Sequence, residues 1–236
     1  FSGHPVTAGW STTKIADTNA ALMARLGYAK YAIQGGDWGA ITNTQLALGH
    51  ADRLIGLHSN FCTAGGASTE GQPPEVIEHI RRRQAERADD NAYSAIQGTR
   101  PHTLGVGLSD SPAGTAAWIV EKFFTWSDVR SSPEEKFTKD ELLTNITIYW
   151  ATASQTSSAQ IYYENSHSTD RRTGRVTVPT ACAVFPKELS YAPRNVLETR
   201  YNIVRWTEMP RGGHFAALEE PELLVEDVRA FFRGLR

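Results

Sequence analysis

The segment at residues 34–39 places a carboxylate among closely spaced glycines. Asp37 is flanked two residues away on each side by Gly35 and Gly39. This spacing is typical of a strained turn from a strand into a helix, which lifts one reactive side chain above a sheet. We expect glycine at both flanks because a side chain there would collide with the neighbouring strand or helix. A carboxylate on such a turn can act as a nucleophile and form an ester on the protein.

Two simpler interpretations of this segment compete with the first. Glycine-rich turns are common after strands, and Asp37 could merely cap the helix that follows. A dinucleotide-binding loop would need Gly-x-Gly-x-x-Gly, which the segment does not match, and an acidic residue at the end of a second strand. The rest of the chain must therefore decide between a nucleophile and a cap.

A glutamate and a histidine follow two predicted strands late in the chain. Glu188 comes just after a predicted strand at residues 176–185, and His214 follows another at residues 201–209. The carboxyl ends of parallel strands form one edge of a sheet, where ligands bind. A carboxylate that accepts a hydrogen bond from the imidazole would fix its tautomer and stabilise its protonated form. The chain order nucleophile, acid, histidine predicts a triad of Asp37, Glu188 and His214.

Alternatives exist for both of the later residues. A lone histidine in a glycine-rich loop is more often structural, but the position of His214 after the correct strand favours a base. Glu198 is the other carboxylate between the two strands, and it lies farther along in a predicted helix.

Three blocks of different pattern organise the chain. The middle block opens with a stretch containing glycine and proline at residues 65–74 and then reads as helices, one of them beginning with a capping box at Thr138 and Glu141. The flanking blocks alternate between strand and helix patterns. The predicted divisions are a first core part at 1–62, a helical lid at 63–174 and a second core part at 175–236. This order predicts an α/β fold with a mostly parallel sheet interrupted by a helical lid.

Composition excludes several classes of protein. The 236 residues are 40% hydrophobic and 21% charged with a net charge of −2, so no basic surface predicts a nucleic-acid partner. The cluster from Arg81 to Arg83 is interpreted as a solvated helix face. Cys62 and Cys182 have no spacing typical of zinc sites or disulfide frameworks, so we expect buried reduced thiols. No apolar run approaches a membrane span and no signal peptide opens the sequence, which favours a cytoplasmic protein.

Several segments together resemble the microsomal-type epoxide hydrolases, including bacterial and fungal members. The matching segments are residues 34–39, 107–112, 142–145, 178–180, 185–188 and 211–217. The resemblance implies an α/β-hydrolase fold, a small-molecule epoxide as substrate, and no metal or organic cofactor. A homodimer is compatible with it.

The resemblance also implies further site residues. Two lid tyrosines of the family hydrogen-bond the epoxide oxygen, and by segment match they are Tyr93 and Tyr162. Tyr163 and Tyr149 are alternatives for the second, and a packing role stays open for each. The backbone N–H of Trp38 is implied as an oxyanion-hole donor.

One family feature has no counterpart in the chain. The family carries a His-Gly-x-Pro loop upstream that supplies another oxyanion-hole donor, and the match begins after it, at Phe1. We therefore expect a chain without the first strands of the sheet and with reduced activity, since losing one such donor costs about a hundredfold in rate. The remaining alternatives are a haloalkane dehalogenase with the same Asp nucleophile and an inactive binding protein on the same scaffold.

Overall fold

Four parallel strands form a single sheet in the computed structural model, which describes residues 4–63 and 69–235. They lie in the order β1, β2, β3, β4, with bounds Tyr31–Gly35, Leu54–Ser59, Val176–Val184 and Tyr201–Glu208. The start of the resemblance at Phe1 and the glycines predicted to open the lid at residues 65–66 lie outside the described residues. The predicted parallel sheet interrupted by helices is observed.

Helices cover this sheet and fill the interval between β2 and β3. The helices of the flanking parts are α1 (Thr12–Arg25), α2 (Asp37–Gly49), α9 (Arg194–Glu198), α10 (Ala216–Glu219) and α11 (Pro221–Arg233). The helices between β2 and β3 are α3 (Pro74–Glu86), α4 (Ala92–Thr99), α5 (Pro101–Asp110), α6 (Pro112–Thr125), α7 (Lys139–Ala151) and α8 (Gln155–His167). We call α3 to α8 the inserted helices.

Local sequence signals explain where several helices begin and end. The Ser11 hydroxyl accepts a hydrogen bond from the Lys14 backbone at the start of α1, and Gly27 follows that helix with a φ of 86°, which glycine adopts without strain. The predicted capping box at Thr138 and Glu141 opens α7. The amphipathic pattern from Glu75 to Asp90 predicts a single helix over that range, and its predicted end is wrong, because α3 ends at Glu86.

The main core lies between the sheet and the helices of the flanking parts. Leu46 of α2, Leu57 of β2 and Val176 of β3 are almost fully buried within it. A separate aromatic cluster joins the inserted helices to the strand-bearing part: Phe123 of α6 stacks on Phe215, with ring centroids 4.3 Å apart. The inserted helices are therefore packed directly against the loop that carries His214.

Two expectations about composition are wrong. Cys62 and Cys182 form a disulfide in the structure instead of remaining reduced, because the end of β2 and the adjacent strand β3 bring their Cα atoms to 6.0 Å. Arg83 is not solvated: its side chain is only 11% exposed and its guanidinium donates to the backbone carbonyl of Glu188. Arg81 and Arg82 are exposed, as expected.

The described helices have one further property in common. Each is either too short or too polar to cross a lipid bilayer.

Candidate active site

A strained turn presents Asp37 at the end of β1. Asp37 has a φ of 45°, unusual for a residue with a side chain, and it is the first residue of α2. A Cβ added to Gly35 would lie 2.7 Å from the backbone carbon of Gly39, so Gly35 must be glycine. At Gly39 itself an added Cβ would meet none of the described residues. The expectation that both flanks require glycine thus holds for Gly35 only.

Two loops bring the predicted acid and base side by side. Glu188 follows β3 and His214 follows β4, and these strands are neighbours in the sheet. A parallel bridge pairs Lys187 with Gly213, and the Lys187 backbone donates to the carbonyl of Gly212 at 3.1 Å. Adjacent strands and this bridge place the two functional side chains at one edge of the sheet.

The three predicted triad residues meet at this edge. The distance from His214 Nδ1 to Glu188 Oε1 is 2.6 Å, and that from His214 Nε2 to Asp37 Oδ2 is 3.4 Å. Burial of the imidazole lowers its pKa, but the charges and hydrogen bonds of Glu188 and Asp37 outweigh this and raise the pKa of His214 to about 10. The His214 side chain is 3% exposed, whereas that of Asp37 is 44% exposed and open to a ligand.

Tyr93 of α4 and Tyr162 of α8 line the same cavity as Asp37. Their ring centroids are 5.9 Å apart, and the Tyr162 ring stands edge-on to Trp38 at 4.8 Å. Burial raises the pKa of both phenols, and the negative charge of Asp37 raises it further, which keeps both hydroxyls protonated near neutral pH.

Exposure and contacts distinguish Tyr162 from Tyr163, but not from Tyr149. Tyr163 is 37% exposed and stacks on His167. Tyr149 lines the same cavity as Tyr162, so exposure alone would not have distinguished those two.

A cavity of about 530 Å³ joins these residues. Its floor includes Asp37 and Trp38, and its walls are mostly aromatic and aliphatic side chains of the inserted helices. The aromatic and aliphatic lining residues are Trp10, Ile15, Leu108, Trp118, Ile119, Phe123, Trp126, Ile161, Phe215 and Leu218. The arrangement can bind an apolar molecule and expose it to one carboxylate and two phenols.

Sequence reasoning missed the residues that hold Tyr93. The Lys122 ammonium lies 4.5 Å from the Tyr93 ring centroid and pairs with Asp90 at 2.9 Å. Asp90 also accepts a hydrogen bond from the indole of Trp126, whose ring stands edge-on to Tyr93. Lys122 lies on α6, Trp126 directly follows that helix and Asp90 lies in the turn before α4, so periodicity within one helix could not have identified them.

Gln97 was missed as well. It is buried one turn after Tyr93, and its amide lies beside the hydroxyl of Tyr162, where it opposes the effect of burial on the pKa of that phenol. A buried glutamine on an otherwise amphipathic helix is the signal that could have pointed to it.

A metal centre has no counterpart among the side chains that the structure describes. Over residues 4–63 and 69–235, no group of three histidine, cysteine, aspartate or glutamate side chains is placed to hold a metal ion.

A strand that turns sharply into a helix to present a nucleophile, with an acid and a histidine after later strands of a parallel sheet, defines the α/β-hydrolase fold. This protein has that fold.

Comparisons with known proteins narrow the class further. No protein-family model matches the chain. A putative epoxide hydrolase of Stigmatella aurantiaca is 42% identical over the whole chain, and epoxide hydrolase 1 of Oryctolagus cuniculus is 36% identical over 98% of it. The crystal structure of juvenile hormone epoxide hydrolase from Bombyx mori superimposes with a TM-score of 0.89 at 33% identity, covering 98% of this chain and 61% of that one. Over nearly its whole length the chain is therefore similar to epoxide hydrolases, in agreement with the resemblance of its motifs.

The match covers only part of each relative. The chain spans 54% of the Stigmatella aurantiaca protein and 57% of the rabbit protein, about half the length of the curated relatives it matches. The predicted fold class is confirmed, and the comparisons favour an epoxide hydrolase over a haloalkane dehalogenase.

Proposed function

We propose that the protein converts an epoxide and water into a vicinal diol through an ester on Asp37. The observation that carries the proposal is the 3.4 Å approach of Asp37 Oδ2 to His214 Nε2 beneath two phenols. Residues 63–174 would serve as the cap that supplies those phenols, and residues 1–62 and 175–236 as the two parts of the hydrolase core.

In the first half-reaction, a carboxylate oxygen of Asp37 attacks one ring carbon. The C–O bond of the ring breaks and its electron pair passes to the oxygen, which Tyr93 and Tyr162 stabilise by hydrogen bonding. Without such donors the alkoxide is a poor leaving group, and general acid catalysis of this kind contributes about 10²-fold to 10⁴-fold. The raised pKa of each phenol supports this role because the donor must be protonated.

In the second half-reaction, His214 takes a proton from water. The hydroxide attacks the ester carbonyl of Asp37, and the backbone N–H of Trp38 donates a hydrogen bond to the oxyanion. The diol oxygen leaves with the proton from the imidazolium, and the carboxylic acid left on Asp37 releases the proton that neutralises the ring oxygen opened in the first half-reaction, which restores the carboxylate. Glu188 stabilises the imidazolium throughout, as its 2.6 Å hydrogen bond supports.

The cavity supports a bulky, apolar epoxide as substrate. Its volume of about 530 Å³ lies within the usual range for sites that enclose a drug-sized ligand. Among the described residues, Lys122 is the one lysine on its wall, and the charge of that side chain is compensated by Asp90 and Glu121. Nothing in this lining favours an anionic substrate.

A single-turnover experiment in heavy-oxygen water tests the mechanism. With styrene oxide as probe, the label should enter the carboxylate of Asp37 and be absent from the first diol formed. Asp37→Asn should form no diol, whereas His214→Gln should form the ester and retain it. Label in the first-turnover diol would contradict the ester.

Cellular location and assembly stay predictions. A persistent disulfide between Cys62 and Cys182 would be unusual in the reducing cytoplasm. Thiol titration of protein isolated from its native source therefore tests the cytoplasmic assignment, and sedimentation of the same sample tests the homodimer.

A further inference from the structure

The loop that carries His214 is held through its own backbone. Four consecutive backbone N–H groups, from Gly212 to Phe215, each donate a hydrogen bond to a residue outside this four-residue segment. A loop of this length would ordinarily leave some of these groups to solvent. The imidazole is thus fixed by the main chain beneath it as well as by Glu188.

Glu219 accepts two of these four bonds. Its Oε1 accepts from the Phe215 backbone and its Oε2 from the Gly213 backbone, both at 3.0 Å, so the carboxylate holds the residues on either side of His214. Oε2 also accepts from the backbone of Asp128 at 2.7 Å, across 91 residues of sequence. Glu219 is only 7% exposed.

The segment after α6 supplies the other two bonds. The Trp126 carbonyl accepts from the His214 backbone at 2.9 Å, and the Asp128 carboxylate accepts from the Gly212 backbone at 2.9 Å. The two segments touch so closely that a Cβ added to Gly213 would lie 2.5 Å from the Trp126 carbonyl oxygen.

Capping of a short helix does not explain this arrangement. The bond from Phe215 to Glu219 is local to the first turn of α10, but those from Gly213 and Asp128 are not. Burying a carboxylate costs free energy because the group loses its hydration, unless hydrogen bonds within the protein replace that hydration. Here the partners are the main chain around the proposed base and the start of the segment that follows α6.

We propose that Glu219 is a positioning residue for His214. Its carboxylate fixes the loop backbone so that the imidazole stays at the distance and angle from the ester on Asp37 that hydrolysis requires. The inference rests on the proposed function, because it assigns Glu219 to one of the two half-reactions. Since His214 acts only in ester hydrolysis, loosening its loop slows hydrolysis and leaves attack by Asp37 unchanged.

Glu219→Gln tests the proposal with little change in shape. A glutamine must turn its NH₂ group toward either the Phe215 N–H or the pair of N–H groups at Oε2, so one donor faces another and the loop shifts. A displacement of about 1 Å at a reacting group can cost about a hundredfold. We expect ester hydrolysis to slow by roughly 10-fold to 100-fold and the rate of ester formation to stay within about twofold.

The matched control is Glu220→Gln. Glu220 is the adjacent buried glutamate, but its partners are the side chains of Lys136 and Arg211, not the loop backbone. Both variants are made in the protein expressed from its complete coding sequence and mixed rapidly with styrene oxide. The ester is followed by mass spectrometry after acid quench, and diol formation is measured in parallel.

The outcomes separate the two proposals. We expect the ester to accumulate in Glu219→Gln, because it forms at the normal rate and hydrolyses slowly. We expect no such split between the two rates in Glu220→Gln. Three results overturn the positioning role of Glu219. They are an equal loss of both rates, no change in either rate, and slower hydrolysis with normal ester formation in the Glu220→Gln control. If Glu219→Gln does not fold, Asp128→Ala, which loosens the same loop at Gly212, must show the split instead. Absence of any ester in the unmodified protein would count against the proposed function itself.

Discussion

His214 lies between two carboxylates, and each of them affects its pKa. Burial lowers that pKa, whereas the charges and hydrogen bonds of Glu188 and Asp37 raise it, and the net result is a pKa of about 10 in the free protein. Forming the ester removes the charge of Asp37 and leaves burial and Glu188 in place. The pKa of His214 therefore falls once the ester exists, and the imidazole becomes available as a base.

This change predicts that only one of the two half-reactions depends strongly on pH. Hydrolysis requires neutral His214 and should accelerate as pH rises and the imidazolium of the ester form loses its proton. Ester formation requires ionised Asp37 and protonated phenols, and should change little over the same range. The fraction of protein present as ester at steady state should fall between about pH 6 and about pH 9, measured by mass spectrometry after acid quench. An ester fraction that rises with pH would contradict the assignment of the base.

Substitution of single tyrosines tests which phenols touch the substrate. Tyr162→Phe should slow ester formation by roughly a hundredfold, because one donor to the ring oxygen is lost while its packing against Trp38 is kept. Tyr163→Phe is the control, since that ring is exposed and stacked on His167. Rapid-quench measurement of ester formation gives both values. Similar effects of the two substitutions would remove the assignment of Tyr162.

At the scale of elements, one side chain attaches α11 to the sheet. Asp227 is 4% exposed and accepts hydrogen bonds from His58 Nε2 of β2 at 3.0 Å, and from Arg205 Nε at 2.8 Å and Thr207 Oγ1 at 2.7 Å in β4. Burial raises the pKa of this carboxyl, but these three partners outweigh it and lower the pKa to about 2. The helix is thus held to two strands through a carboxylate that must stay ionised.

Asp227→Asn should therefore destabilise the fold. Removing the charge weakens the hydrogen bonds from His58, Arg205 and Thr207, and because Arg205 is 36% exposed and keeps part of its hydration, the loss is about 2 kcal/mol, below that of a fully buried pair. Because the folded pKa is depressed, the stabilisation is complete above the ordinary aspartate value and is lost as pH falls from about 4 towards 2. Denaturant titrations should show a large difference from the unmodified protein at neutral pH that shrinks in acid. Glu226→Gln, at the exposed neighbouring position, should change neither value.

At the scale of the whole molecule, the disulfide links two parts of the chain that the inserted helices separate. Cys62 follows β2 and Cys182 lies within β3, at a sequence separation of 120. Closing a loop of about 100 residues restricts the unfolded chain and stabilises the fold by roughly 4 to 5 kcal/mol in the chain-entropy account. The bond keeps neighbouring strands together on both sides of the insertion.

Reduction of this disulfide should lower the free energy of unfolding by about 4 kcal/mol. Urea titration with and without dithiothreitol measures the effect, and thiol counting by mass spectrometry confirms the redox state. In a Cys62→Ser, Cys182→Ser variant the reductant should have no effect, and stability should match that of the reduced protein. Identical stability of the oxidised and reduced forms would show that the bond does not constrain unfolding.

The sequence by itself determined the architecture and the residue types of the site. Hydrophobic periodicity and glycine or capping signals mark the strand before Asp37, the helix after it and the two later strands. These signals depend on residues close together in the chain. Their order was enough to predict a parallel sheet with a helical insertion. Glu188 and His214 could be predicted as site residues because each follows the carboxyl end of a predicted strand, and these strand ends form the ligand-binding edge of a parallel sheet.

Only the tertiary structure decided how the insertion meets the sheet. Three contacts of this kind join residues far apart in sequence: the bond from Arg83 to the Glu188 carbonyl, the contact of Lys122 with the Tyr93 ring, and the bond from the Asp128 backbone to the Glu219 carboxylate. No periodicity encodes such contacts, because each depends on the relative placement of whole elements. The same reason made the disulfide and the burial of Arg83 unpredictable: local pattern describes one helix or strand, and partners on another element are set by packing.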